Sequence, residues 1–267
     1  IKLPHGIEFI QYNNNTFEKN TDINVFIQNL YCVSQWTNWI VYNDDISSLN
    51  YNNKHNRKGH CKGILSWSKN NNKIGWLCHS VPNFPRLFNG LYISKIEDSE
   101  KMYGQSFQYI EIEYDENILY DIIKQIHIME SNIYIDNSKY KNMIFPKVDK
   151  INMLKINEDI IHYAKPPNDN VDIYNYIASI YKYNWKIETW KRGHLIEEKN
   201  DHIIDTKEII IDNIHFKSSQ DHSKWAVSDD EYYWIGDLNR MSSQFKRGGG
   251  GFICKDSKLT DALIKLI

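Results

Sequence analysis

The chain has 267 residues, with 32 Lys and Arg against 34 Asp and Glu, a net charge of −2 when His is neutral. Hydrophobic residues at 41% and charged residues at 25% exclude long disorder, a collagen-like repeat and a disulfide-dense miniprotein. No apolar run approaches the ~20 residues of a membrane helix, and the charge excludes a basic nucleic-acid binder at neutral pH. Ten His change that balance in acid: protonating all of them takes −2 to +8, so a polyanion is held better below the ~6.5 at which His titrates.

In chain order, residues 38–42 form a short apolar strand that ends in the turn Asn43-Asp44-Asp45. Residues 63–67 and 74–78 flank the turn Asn70 to Asn72 and pair as a hairpin. Residues 105–113 alternate as a further strand, after which Asp115 caps a helix with Ile118, Leu119, Ile122, Ile123, Ile126 and Met129 on one face. Residues 160–164 read as a strand closed by Lys165-Pro166-Pro167. Asp169 or Asn170 caps a second helix carrying Ile173, Tyr176, Ile177, Ile180 and Tyr181. Residues 185–190 and 208–216 are strands, and Asp256 or Ser257 caps a third helix with Leu259, Leu263 and Leu266. This alternation predicts a mixed α/β fold. At roughly 150 residues per domain the length suggests about two domains, and a weak boundary near 147–157 divides the chain into similar halves, 1–151 and 152–267.

Asn-rich stretches such as Asn50 to Asn56 read as surface turns. Cys32, Cys61, Cys78 and Cys254 lack CxxC spacing, which argues against zinc; they allow at most two disulfides, with no pairing deducible. Asn14-Asn15-Thr16 is a glycosylation acceptor if the protein is secretory. The chain opens on Ile with no leader-like segment and is read as processed or trimmed, so targeting is not legible.

Two tripeptides carry chemistry: His60-Cys61-Lys62 and His222-Ser223-Lys224. In a strand, residues i and i+2 share a face, so each HxK aims an imidazole and an ammonium at one space. That pair suits a phosphodiester, with His as nucleophile or acid and Lys balancing charge on non-bridging oxygens. His215-Phe216-Lys217 matches the same pattern on an apolar strand without Gly or Trp context and is read as incidental. The other two share a grammar: HxK, a turn, an apolar strand, then an Asn after a polar bend (Asn83 and Asn239). A duplicated half-site fits two halves facing across a pseudo-twofold axis.

The segments GHCKG, HSVPNFP, YGQSF, DHSKW, GDLNR and RGGGG, in that order, resemble deoxyribonuclease II, the acid endonuclease family of the phospholipase D superfamily. The resemblance covers nearly the whole chain. It implies a phospholipase D-like pseudo-dimer, each half a mixed β-sheet flanked by helices, with the active site at the pseudo-twofold interface. It also implies a metal-independent, cofactor-free acid endodeoxyribonuclease that leaves 3′-phosphate ends through a phosphohistidine. The catalytic set is then His60, Lys62, His222, Lys224, Asn83 and Asn239, with His60 as nucleophile and His222 as acid. Asn83 and Asn239 are read either as turn formers or as groups that orient phosphate or His. Arg247, Gly248, Gly249 and His79 are assigned to substrate binding. The glycine run reads either as a flexible loop or as backbone closely approaching DNA phosphates, and His79 as structural or as a second layer behind the site.

The superfamily's HxK is followed by G-S-x-N; Gly236-Asp237-Leu238-Asn239 puts Asp237 in the Ser place. Ala226 and Trp234 stand where the animal enzymes would place Cys, so no disulfide map carries over. Ile1-Lys2-Leu3-Pro4 resembles the end of the family's first strand, a core strand otherwise missing or supplied by residues not given; Lys165-Pro166 echoes it in the second half. The expected partner is DNA, with no membrane insertion and a homodimer allowed, and the expected location is lysosomal or secreted. The rival readings are another phosphodiesterase of the superfamily, acting on a lipid or nucleotide, and a secreted DNA-binding relative without catalysis.

Overall fold

The computed structural model describes residues 1–13, 15–31, 35–45, 59–191 and 200–267. Its elements run β1 (Phe9–Asn13), β2 (Thr16–Asn20), α1 (Ile23–Tyr31), β3 (Asn38–Tyr42), β4 (Gly63–Ser68), β5 (Lys73–His79), α2 (Asp98–Lys101), β6 (Phe107–Glu113), α3 (Glu116–Ile128), β7 (Ile133–Asp136) and β8 (Asn152–Lys155). There follow β9 (Ile160–Lys165), α4 (Ile173–Tyr181), β10 (Trp185–Thr189), β11 (Ile203–Asp205), β12 (Glu208–Ile211), β13 (Ile214–Lys217), β14 (Lys224–Ser228), β15 (Tyr232–Gly236), β16 (Gly249–Lys255) and α5 (Ser257–Ile264). The fold is α/β.

A five-stranded sheet has the order β6-β5-β4-β3-β7, and a seven-stranded sheet the order β11-β10-β14-β15-β16-β9-β8. Two hairpins, β1-β2 and β12-β13, stand apart. The hairpin expected around Asn70 to Asn72 is β4 and β5, with Gly63 opposite Cys78 and Asn72 in the left-handed region at φ 52°. All of β4 is buried, so its side chains face apolar matter on both sides of the sheet.

One apolar cluster runs through both sheets, taking Trp76 from the first and Phe252 and Trp225 from the second. His162 sits inside it between Trp76 and Phe252, at ring-centroid distances of 4.7 and 4.8 Å. The predicted face of α3 enters the same cluster, and the Asp115 carboxylate accepts from the Asn117 and Ile118 amides, closing the helix start as expected. Separate clusters serve each sheet's outer face, one around Tyr31 and Phe84, the other around Tyr174 and Trp185. Among the described residues no helix is long and apolar enough to cross a membrane.

Two expectations need correction, and one of two open readings falls. The second helix is capped by Asp172, whose carboxylate accepts from the Tyr174 amide; Asp169 instead accepts from the Ile151 amide and the Lys150 ammonium. Residues 208–216 are two antiparallel strands, because Asp212 takes φ 51° and turns the chain back on itself. The glycine run is no flexible loop: residues 249–251 begin the buried strand β16, between β15 and β9. Asp256 does cap the third helix, through the Leu259 amide. Cys61, Cys78 and Cys254 are buried free thiols, while Cys32, Asn14 and the Asn50 to Asn56 stretch lie outside the described residues.

Candidate active site

Both HxK tripeptides lead into a central strand, β4 or β14. Residues 60–62 and 222–223 precede those strands and are not part of them, contrary to the strand geometry expected, yet each middle side chain turns aside: Cys61 to Ser131 Oγ at 2.8 Å, and Ser223, which donates its hydroxyl hydrogen to Asp221. Lys62 and Lys224 are 2% and 3% exposed, and each ammonium curls back to the carbonyl of the His two residues before it. The backbone anchors are crossed. The His60 amide donates to the Gly248 carbonyl at 2.7 Å, and the His222 amide to the Gly104 carbonyl at 2.9 Å. Both glycines are cramped: a Cβ on Gly248 would lie 2.0 Å from the Met129 carbonyl oxygen, and one on Gly104 would lie 2.4 Å from Asp221 Oδ1.

His60 Nδ1 lies 2.7 Å from the Asp237 carbonyl oxygen. A carbonyl only accepts, so Nδ1 carries the hydrogen and Nε2 holds the lone pair of the neutral ring. Nε2 is 3.4 Å from Asp44 Oδ2. The same carboxylate takes the Lys62 ammonium at 2.5 Å and the Arg247 guanidinium at 3.4 Å. Burial would raise the Asp44 pKa, but Lys62, His60 and Arg247 override it and hold the carboxyl well below the usual range. Burial, then the Lys62 charge, pushes His60 well below the ordinary His value.

His222 is held differently. Its Nδ1 lies 3.3 Å from Glu100 Oε2, and Gln105 Nε2 donates to that oxygen at 3.1 Å. The ring stacks on Tyr103 at 4.0 Å and 11°, with Trp190 edge-on at 4.7 Å. Nε2 is buried and makes no hydrogen bond. Burial lowers the His222 pKa, with Lys224 acting in the same sense, while Glu100 favours the protonated ring. The two tripeptides feel each other: Lys62 is among the charges lowering His222 and Lys224. Burial first, and Lys62 second, bring Lys224 to about 7. Asp237 is brought up to about 7 by burial.

The remaining assigned residues divide. Arg247 joins the His60 group and also donates to the Gly59 carbonyl at 3.3 Å. Gly248 supplies the carbonyl beneath His60, whereas Gly249 packs on Leu238. Asn239 is buried, with an Oδ1 that accepts no hydrogen bond. Asn83 takes φ 54° and its amide donates to Asn43 Oδ1 at 3.3 Å, a turn geometry. His79 is buried between Phe84 and Phe107, and burial, then Lys62, lowers it to about 3. His215 of the third HxK is on the surface, pairing with Glu208 at 2.8 Å.

Sequence reasoning gave no site role to Asp44, seen only as a turn residue, to Trp190, seen only as the end of a strand, or to Glu100. Tyr103 and Gln105 were in view only as part of YGQSF. Among the described residues no group of three His, Cys, Asp or Glu side chains is arranged to hold a metal ion.

A family model described as Deoxyribonuclease II matches residues 7–267. The chain is 32% identical to mouse Deoxyribonuclease-2-beta, over 90% of this chain and 73% of the relative. It is 28% identical to Caenorhabditis elegans Cell-death-related nuclease 7, over 92% and 72%, and 26% identical to the same organism's Deoxyribonuclease-2, over 90% and 67%. With a match of this extent, and with both HxK tripeptides held at crossed backbone anchors, the chain belongs to the deoxyribonuclease II family.

Proposed function

We propose that this protein is a metal-independent acid endodeoxyribonuclease built as a phospholipase D-like pseudo-dimer of residues 1–151 and 152–267. The observation that carries this reading is the crossed anchoring of the two HxK histidines on Gly248 and Gly104. Strand order supports the two-fold relation. Beyond β6 the bridge at Lys2 takes the place that β9 has beyond β16. Thereafter β6-β5-β4-β3 matches β16-β15-β14-β10, and the edge strands then differ, β7 lying antiparallel to β3 and β11 parallel to β10.

In the mechanism His60 Nε2 attacks phosphorus while the P–O5′ bond breaks, and His222 Nε2–H gives its proton to the leaving 5′ oxygen. Water, deprotonated by His222, then attacks the phosphohistidine, breaking the N–P bond and releasing a 3′-phosphate. The Nδ1–H held by the Asp237 carbonyl keeps the His60 lone pair on Nε2, and Glu100 favours the protonated His222. Lys62, Lys224 and Arg247 supply the positive charge that a metal ion supplies in other nucleases. Asn239 orients phosphate or imidazole and Gly248 seats His60, while Asn83 in its turn, Gly249 against Leu238 and His79 between Phe84 and Phe107 support the site from behind. Acid suits the site because Lys224 and Asp237, both near 7, each gain a proton between pH 8 and 5. The site then becomes more positive and binds phosphate better. A lysosomal or secreted location, and a homodimer, belong to the same reading.

Incubating plasmid DNA with EDTA at pH 5 and pH 8 tests the function. Cleavage at pH 5, with ends that a polymerase extends only after phosphatase treatment, is the expected result. Activity abolished by EDTA and restored by Mg²⁺ would reject the mechanism.

A further inference from the structure

Lys2 and Lys165 are both 0% exposed, and neither forms an ion pair with a carboxylate among the described residues. Each ammonium is surrounded by backbone carbonyls instead. Lys2 Nζ donates to Leu3, Gly6 and Lys101 at 2.8, 2.9 and 3.1 Å. Lys165 Nζ donates to Pro166, Phe245 and Arg247 at 3.5, 2.7 and 2.8 Å. An ammonium has three N–H donors, so three carbonyls use all of them. Burying a cation without a counter-charge is costly, and an apolar side chain would fill either space more cheaply.

The carbonyls chosen are informative. Arg247 immediately precedes Gly248, whose carbonyl holds the His60 amide, and the Arg247 side chain reaches Asp44. Lys101 follows Glu100, which touches His222. The Lys2 backbone also exchanges both hydrogen bonds with Gln105, next to the Gly104 carbonyl that holds the His222 amide. Each lysine therefore ties down the segment that crosses to the opposite half's histidine.

We propose that Lys2 and Lys165 are paired positioning residues: Lys165 fixes residues 245–248 against His60, and Lys2 fixes residues 100–105 against His222. This rests on the two-histidine reading of the site. Neither lysine touches the reacting atoms; each acts through the carbonyls it gathers. The arrangement predicts a reciprocal pattern, in which a lesion at one lysine is felt by one histidine and spares the other.

The test uses the full chain with ¹³C-labelled His, comparing Lys165→Met, Lys165→Gln, Lys2→Met and Lys2→Gln. In NMR titrations Lys165→Met should move the His60 midpoint by about half a pH unit or more and leave that of His222 in place, and Lys2→Met should do the reverse. Cleavage of plasmid should show kcat lowered roughly ten- to a hundred-fold with KM changed less than about threefold, as expected for reacting groups misplaced by about 1 Å. The Gln variants, which keep two donors, should recover part of that loss. Both histidines moving together, or neither moving while the melting temperature falls, would overturn the proposal. So would a failure of both variants at one position to fold, which would make that lysine a scaffold residue. The titrations need no turnover: an unaltered chain that cuts no DNA would count against the nuclease reading, while the reciprocal shifts would still decide the positioning role.

Discussion

In the proposed mechanism, removing the His60 imidazole takes away the atom that bonds phosphorus, and removing that of His222 takes away the proton that leaves with the 5′ oxygen. Each Ala variant is expected to lose on the order of 10²–10⁴-fold in rate, with the double variant little worse because the pair acts as a unit. Long-time plasmid nicking measures this, and a His222→Ala rate above roughly a tenth of the parent's would contradict its role. Asp44→Asn keeps the shape of the side chain but leaves Lys62, His60 and Arg247 facing an uncharged group. The Asp44 pKa is held below its unfolded value, so its contribution to stability is complete above the unfolded value of ~3.8 and fades only as pH falls through the folded one. Urea unfolding at pH 5 and pH 7 should therefore show the same loss at both, about 3–5 kcal/mol for a broken buried pair; a loss confined to pH 7 would argue against the ion-pair account. The histidines and lysines were legible because i, i+2 spacing is local and was written twice. Asp44 looked like one more turn residue, since its partners lie up to 203 positions away. Nothing in the sequence brings Glu100 to His222, 122 positions on, until the chain has folded.

Strands with a clear alternation or a marked turn were readable: residues 38–42 coincide with β3, and the Asn70 to Asn72 hairpin has its expected partners. What failed to show has a physical reason in each case. The opening glycines of β16 have no side chains to alternate, so periodicity is blind to them although they are buried at the sheet's interior. The helix Ile23–Tyr31 is marked only at its start, where the Asp22 carboxylate accepts from the Asn24 and Val25 amides; with no basic residue in its last turn and the short span, that lone signal was passed over. Residues 208–216 looked like one strand because a single left-handed Asp212 reverses the chain within an apolar run. The crossed glycines make the elements' own prediction. Gly104→Ala places a methyl against the buried Asp221 carboxylate and Gly248→Ala places one against the Met129 backbone carbonyl, and each should cost about 1–3 kcal/mol as overpacking. Thermal unfolding alongside cleavage rates should show both falling; unchanged cleavage in a destabilised Gly248→Ala chain would mean that the His60 anchor is dispensable.

Over the whole molecule the pH response combines site and field. The proposed mechanism requires one neutral and one protonated His, so kcat at saturating DNA should be bell-shaped, with maximal cleavage at about pH 4.5–6, since both histidines are held below their usual ~6.5. Binding should weaken with salt and strengthen as the net charge rises from −2 towards +8. Measuring kcat and KM separately across pH 4–8 tests this; a flat kcat with all the pH dependence in KM would remove the acid–base pair. Glu188 is wholly buried on β10, accepting from Ser218 Oγ at 2.7 Å and from the Thr206 hydroxyl. Burial, with Asp221 alongside, pushes its pKa up, so the folded state keeps a proton that the unfolded chain sheds above ~4.5, and this group costs stability as pH rises from there. Glu188→Gln should melt close to the parent at pH 5 and progressively above it towards pH 8; a constant difference would contradict the assignment. The crossed glycine carbonyls also bear on heredity. If each half's histidine is seated by the other half, neither half is a self-sufficient gene product. A chain severed within residues 141–150, mostly exposed and without regular structure, should yield two fragments that are silent when expressed alone and that cut DNA when co-expressed. A defect at Gly104 should then be repaired only by exchanging the N-terminal fragment, although the histidine it disables lies in the C-terminal one.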